Sequence, residues 1–187
     1  MDIAQSVLVG IWVFIPALIP NSAAVIFGGG APIDFGRSWK GKRILGDGKT
    51  WEGFIGGVGS GILVGAVQLL IAFPYDPVGF FGFGPWPSCI GVIFTLSLGA
   101  LLGDMVGAFI KRRMGLQRGA KAIGLDQYDF VAGAMLFTLL FFPNWVLDTY
   151  VRGGSWVALV VIIILVPVIH RLVNIIGYRR GLKKEPW

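Results

Sequence analysis

Apolar residues run almost unbroken through five stretches of the chain, 3–27, 54–73, 88–110, 128–147 and 155–176, and the polar residues gather between them. About 20 helical residues cross a bilayer, so each stretch predicts a transmembrane helix. The short alternating strands of a closed barrel, the other structure that spans lipid, are absent. The expected fold is an all-α integral membrane protein with five transmembrane helices. It forms one domain over 1–187, with polar loops at about 28–53 and 111–127 and a polar tail at about 177–187.

The distribution of Lys and Arg orients this bundle. Connection 28–53 carries Arg37, Lys40, Lys42, Arg43 and Lys49, and connection 111–127 carries Lys111, Arg112, Arg113, Arg118 and Lys121. The C-terminal part carries Arg171, Arg179, Arg180, Lys183 and Lys184, and only Arg152 falls on the other side. Basic residues stay on the cytoplasmic face. The expected N-terminus is therefore outside, the C-terminus cytoplasmic, and the location the cell membrane. The connection from Pro74 to Pro87 is Gly-, Pro- and Phe-rich and is expected to skim the outer interface, with Trp12, Trp86, Trp145 and Trp156 as interfacial anchors. Met1-Asp2-Ile3 lacks the positive start of a cleaved signal peptide, so none is expected.

Composition narrows the class. Of 187 residues 55% are hydrophobic and 14% charged, where soluble domains carry about 25% charged residues. Mean hydropathy is +0.76. A disordered chain is excluded, and the net charge of +6 does not indicate a nucleic-acid binder, because the basic residues sit between spans. A single cysteine, Cys89, excludes an intrachain disulfide and a cysteine-based zinc cluster. No repeat of the inverted-transporter kind is visible.

Four features carry candidate chemistry. Asp104 lies in the third span, seven residues before Lys111 and roughly 10 Å from the helix end at 1.5 Å per residue. A carboxylate there is costly unless paired, which makes it a functional candidate, and the i, i+7 spacing puts it on one face with Lys111. Asp126 and Asp129 stand at i, i+3 where the fourth helix begins. Capping explains one acid; two, joined by Asp104, suit a hard cation such as Mg²⁺ with phosphates as further ligands. Lys111, Arg112, Arg113 and Arg118 lie between these acids, the mixture a nucleoside-triphosphate site needs. Gly46-Asp47-Gly48-Lys49-Thr50 is not a P-loop, since Arg43 stands where its first Gly belongs. Its Lys49 and Thr50 at a helix N-terminus still make an anion site.

Three further features have two readings each. Asn21 follows Pro16 and Pro20 and either satisfies backbone groups those prolines free or faces the site. Gly53, Gly57, Gly61 and Gly65 form a stripe for internal packing or a homodimer. His170, beside Arg171, is expected at the lipid interface rather than in the chemistry.

Gly103-Asp104, Phe109-Ile110-Lys111-Arg112-Arg113 and Leu125-Asp126-Gln127-Tyr128-Asp129 together resemble the signature of the membrane CTP-dependent phosphatidate cytidylyltransferases. With Arg43-Ile44-Leu45-Gly46-Asp47-Gly48-Lys49-Thr50 and a chain of this size, the resemblance is closer to their small archaeal branch, the CDP-archaeol synthases. Ile123-Gly124-Leu125 replaces the bacterial His-Gly-Gly, and Gln127 replaces an Arg, which also favours that branch.

The resemblance implies transfer of CMP from CTP to an unsaturated isoprenoid glyceryl phosphate, releasing pyrophosphate, with Mg²⁺ required. By position it implies Asp104, Asp126 and Asp129 as metal ligands, and with Lys111 these form the expected catalytic set. The expected CTP and phosphate contacts are Asn21, Lys42, Arg43, Asp47, Lys49, Thr50, Lys111, Arg112, Arg118 and Gln127. A phosphate monoester is already anionic near neutral pH, so no general base is expected, only charges that bring two anions together. The alternatives are a CTP-dependent lipid or polyprenol kinase and a small transporter. The transporter would place polar residues through the full depth of several helices, whereas here they cluster at one face.

Overall fold

The computed structural model describes residues 2–116, 122 and 124–182. In chain order it contains helix α1 (Ile3–Phe27), a two-stranded ribbon of β1 (Ser38–Trp39) and β2 (Lys42–Arg43), and helices α2 (Trp51–Ala72), α3 (Ser88–Arg113), α4 (Leu125–Phe141), α5 (Pro143–Tyr150) and α6 (Trp156–Arg179). The architecture is helical, as the hydropathy pattern predicts. Four helices, α1, α2, α3 and α6, are long and apolar enough to cross a membrane. The fourth predicted span is divided: α4 has 17 residues and ends at Phe141, and after Phe142 Pro143 opens α5. Proline fits a first helical turn but cannot continue the preceding helix.

Helix α3 is the hub, packing on α4, α1 and α2. Glycine sets the spacing at both of its main faces. A methyl group on Gly57 or Gly61 of α2 would lie 2.7 Å from the Pro20 or Pro16 carbonyl oxygen of α1, and on Gly65 it would lie 2.4 Å from Ile93 of α3. The stripe therefore packs against neighbouring helices of the same chain. Gly103 of α3 likewise meets Gly133 of α4 backbone to backbone. Lipid gives helices no hydrophobic reason to associate, so such close approach supplies the van der Waals attraction instead.

The prolines of α1 have specific partners. Pro16 has no N–H for the Trp12 carbonyl, and Gln68 of α2 donates to that oxygen at 2.8 Å. Pro20 leaves the Pro16 carbonyl open, and the Ser97 hydroxyl of α3 lies 3.3 Å from it, sharing its one proton between that oxygen and the Ile93 carbonyl at 2.8 Å. Freed backbone groups in apolar surroundings need such partners. Asn21 is not one of them.

At the opposite end, the connection after α2 does more than skim a surface. Phe80 and Phe83 are buried in the core, beside Val13. Trp145 donates to the Gly82 carbonyl at 2.8 Å, while Trp86 and Trp156 are exposed.

Candidate functional site

The segment between α1 and α2 forms a framed loop. Lys40 and Gly41 both adopt positive φ and turn the ribbon back on itself, as a two-residue hairpin requires. Asp34 is its centre. The Asp34 carboxylate accepts from the amides of Gly36 (3.1 Å), Leu45 (2.9 Å) and Gly46 (2.9 Å) and from Arg43 Nη2 (2.7 Å) and Nε (3.4 Å). Its side chain is 1% exposed. Burial opposes its ionisation, but the Arg43 guanidinium and the three amides outweigh this and hold it well below the usual carboxylate range. Arg43 also reaches Asp47 at 2.5 Å.

The loop is tied to the end of α3. Arg113 Nη1 donates to the Trp39 carbonyl at 2.6 Å, and Nη2 to those of Lys42 and Arg43 at 3.0 and 2.6 Å. Its guanidinium lies 5.3 Å from the Trp39 ring and 5.2 Å from the Phe109 ring. Arg112 donates to the carbonyls of Leu45 and Leu116, and Lys42 Nζ to that of Arg113 at 3.1 Å. The loop closes on itself where the Ile33 amide donates to the Lys49 carbonyl at 2.8 Å. Thr50 then caps α2, accepting from Gly53 N at 3.2 Å.

This frame delivers Lys49 to Asp104 of α3, and the two form an ion pair. Beside it Lys111 of α3 pairs with Asp126 of α4 at 2.8 Å. The second Asp126 oxygen accepts from the Ala122 amide at 2.7 Å. A cavity of about 160 Å3 opens between these groups, lined by Asn21, Lys49, Thr50, Asp104, Asp126 and His170 among others. One buried oxygen of Asn21, Oδ1, has no hydrogen-bond partner. His170 shares a contact with Asn174 at 3.2 Å.

The sequence expectations divide on this geometry. Asp104, Asp126, Lys49, Thr50 and Asn21 come together at one cavity, with Lys111 behind Asp126. Asp104 and Lys111 share a face but are not partners; each pairs with an acid or lysine from another element. Asp129 does not line this cavity. It packs on α3 at Gly103 and Gly107, and its buried Oδ2 has no hydrogen-bond partner. Lys42, Arg43, Asp47 and Arg112 line a separate hollow of about 310 Å3 on the far side of the Gly46–Lys49 turn. Gln127 caps α4, its Oε1 accepting from Gly124 N at 2.6 Å. Arg118 lies outside the described residues. Among the described residues no three metal-ligating side chains converge as they stand.

Sequence reasoning missed Asp34, Arg113 and His170. An isolated acid in Pro32-Ile33-Asp34-Phe35-Gly36 has the form of an Asx turn, which was the available signal for Asp34. Arg113 read only as one of a basic cluster. Nothing in the sequence separated His170 from the lipid interface.

Below the acids, α3 and α4 leave a lateral groove of about 470 Å3, lined by Gly103, Val106, Leu136, Phe137 and Leu140 with Asp129 at its head. A helical bundle with acid–lysine pairs gathered around a polar cavity, and an apolar groove leading away from them, defines an integral membrane enzyme acting on an amphipathic substrate. The family model described as CarS-like, CDP-archaeol synthase, matches residues 3–187. The CDP-archaeol synthase of Methanospirillum hungatei is 51% identical over 92% of this chain and 99% of its own. That of Pyrococcus abyssi is 46% identical over 94% and 95%, and that of Halobacterium salinarum 44% identical over the full length of both. A solved structure described as an intramembrane enzyme for archaeal membrane lipids biosynthesis is 32% identical, with a TM-score of 0.59, covering 83% of this chain and 90% of that one. The chain belongs to the CDP-archaeol synthase family.

Proposed function

We propose that the cavity between Lys49–Asp104 and Lys111–Asp126 is where this chain transfers CMP from CTP to an unsaturated archaeal ether-lipid phosphate, giving CDP-archaeol and pyrophosphate. The observation that carries this reading is the pairing itself. Lys49, Asp104 and Asp126 face one polar cavity and Lys111 neutralises Asp126 from behind, so the site is nearly neutral and can take up anions and a cation together. Lys49, Lys111 and the Thr50 helix terminus hold phosphate oxygens, and Asn21 offers its unpartnered oxygen to a donor.

A divalent cation fits this donor set. Asp104 and Asp126 supply hard oxygens at the cavity, the kind of donor Mg²⁺ prefers, and Asp129, one turn along α4 from Asp126, keeps a buried Oδ2 without a hydrogen-bond partner just outside its lining. When bound, such an ion would neutralise phosphate charge and leave the lysines to stabilise the leaving pyrophosphate. The chain's own part is electrostatic and positional. The lipid phosphate attacks the α-phosphorus without deprotonation, and preorganised cations offset the repulsion between two anions.

The lipid keeps its chains in the bilayer while its phosphate reaches the acids, and the α3–α4 groove beneath Asp129 offers the path. Counting α4 and α5 as one broken crossing gives five spans, with the N-terminus outside. The basic loops, and with them the cavity, then lie at the cytoplasmic face of a multi-pass cell-membrane protein.

The test is an assay of purified protein in lipid micelles with Mg²⁺ and CTP labelled at the α-phosphate. Label in the isoprenoid lipid, with pyrophosphate released, is the expected outcome. Release of CDP, with the γ-phosphate on the lipid, would make the chain a kinase and overturn the reading.

A further inference from the structure

We infer that Asp34 and Arg113 are positioning residues for the transfer reaction, acting through Lys49; the inference rests on the site reading above. Neither side chain lines the reaction cavity. Together they hold the loop that brings Lys49 to Asp104.

The connection is traceable bond by bond. Arg113, at the last turn of α3, binds three carbonyls of the β1–β2 ribbon. The ribbon carries Arg43, which with Asp34 forms the next link, 2.7 Å between Nη2 and Oδ1. Asp34 then holds the Leu45 and Gly46 amides, both at 2.9 Å. The Gly46 carbonyl accepts from Lys49 N at 3.2 Å, and Ile33, next to Asp34, donates to Lys49 O at 2.8 Å. Lys49 is thus held from both sides by its own backbone before its ammonium meets Asp104. Asp104 stands on α3, the same helix that carries Arg113 nine positions later. The loop is therefore anchored to the element that holds its target.

Gly46 adopts φ 97°, which an L side chain rarely takes. A turn of this kind does not hold one conformation alone, and the Asp34 carboxylate supplies the missing constraint with bonds to a charged acceptor, each worth more than a neutral pair. A lysine has four rotatable side-chain bonds. Placing its ammonium to within half an ångström needs a fixed backbone beneath it.

Coupling between the two residues and Lys49 separates positioning from general stability, because effects that run through one group do not multiply. Asp34→Asn, Arg113→Lys, Lys49→Met and both doubles with Lys49→Met are compared in the full-length protein with isoprenoid lipid phosphate. Expected is a fall in kcat of about 10- to 100-fold for Asp34→Asn and for Arg113→Lys, with the lipid KM unmoved. In the Lys49→Met background the same changes cost less than about 2-fold. Losses that multiply in the doubles overturn the inference and leave the site reading intact. Loss of folded, monodisperse protein in both single variants also overturns it, making the residues part of the fold alone. Full activity in Lys49→Met overturns the site reading and the inference with it.

Discussion

Lys49 and Asp104 are 55 residues apart in sequence and form a half-buried ion pair where the first loop meets the central helix. The pair balances a carboxylate set about two turns inside α3, where an uncompensated charge costs several kcal/mol. In the proposed reaction it would also keep both groups ready, with incoming phosphate competing for the ammonium and a cation for the carboxylate. Asp104→Asn and Lys49→Met should each lower CMP transfer by about 100-fold or more while the protein stays folded in detergent. Activity above a tenth of wild type in either variant removes that residue from the site.

Asp129 tests the wider site. Its Oδ2 is packed on Gly107 and has no hydrogen-bond partner, so Asp129→Asn changes charge with little change in shape. Transfer should be abolished and the Mg²⁺ concentration for half-activity should rise in any residual rate. An unchanged Mg²⁺ dependence with measurable activity would take Asp129 out of the cation's ligands.

The lateral groove gives a substrate-selective test. Gly133 and Leu136 both line it, but a side chain on Gly133 would strike Gly103 at 2.4 Å and disturb α3 as well. Leu136, exposed on α4, is the cleaner choice. Leu136→Trp should raise the KM for the lipid phosphate about 10-fold and leave the KM for CTP unchanged. Equal effects on both would mean the groove is not the lipid's path.

The Asp34 carboxylate makes the loop sensitive to acid in one direction. Its folded form stays ionised at pH values where an unfolded aspartate, near 3.9, has already taken up its proton. The stabilisation is complete above about pH 4 and is lost as pH falls further toward the lowered folded value. Amide exchange at Leu45 and Gly46, corrected for intrinsic rate, should therefore hold level from neutrality to about pH 5 and accelerate below about pH 4. In Asp34→Asn both amides should exchange fast throughout. A native profile flat down to pH 3 would show that some other bond holds the turn.

Packing along α2 predicts a contrast between neighbouring glycines. A side chain on Gly61 meets the Pro16 carbonyl at 2.7 Å and the Ser97 hydroxyl at 2.5 Å, whereas a methyl group on Gly59 would meet no neighbouring element within 4 Å. Gly61→Val should lower the Tm in detergent markedly, at a cost of about 2 kcal/mol or more. Gly59→Val should leave it within a degree or two. A dimer built on the stripe would instead make Gly61→Val change the oligomeric state first.

Much of this molecule is legible in its sequence. Hydropathy locates four long helices to within a few residues, because a membrane helix must be apolar along its whole length. Asp104 stands out for the converse reason. Partnership is harder to read. The i, i+7 spacing puts Asp104 and Lys111 on one face, but what opposes that face comes from Lys49 and Asp126, on other elements. The break at Phe142–Pro143 was marked by its proline, yet the apolar run continues across it. Lys42, Arg43 and Arg112 look like phosphate contacts in a list of cations. Their bonds to Asp34 and to loop carbonyls depend on a ribbon whose signal is two residues, Lys40-Gly41.

The two prolines of α1 give the bundle a keyed assembly. Each removes a donor and leaves a carbonyl that receives one side chain, Gln68 from α2 and Ser97 from α3. Glycine faces alone would let helices slide a turn against each other at little cost. These two plugs would have to be withdrawn first, leaving bare carbonyls in lipid. Ser97 stands two turns before Asp104 on α3, and Pro20 stands just before Asn21 on α1. The same keys that register the helices therefore set where the polar cavity lies along the bundle, measured from points within the helices rather than from their ends.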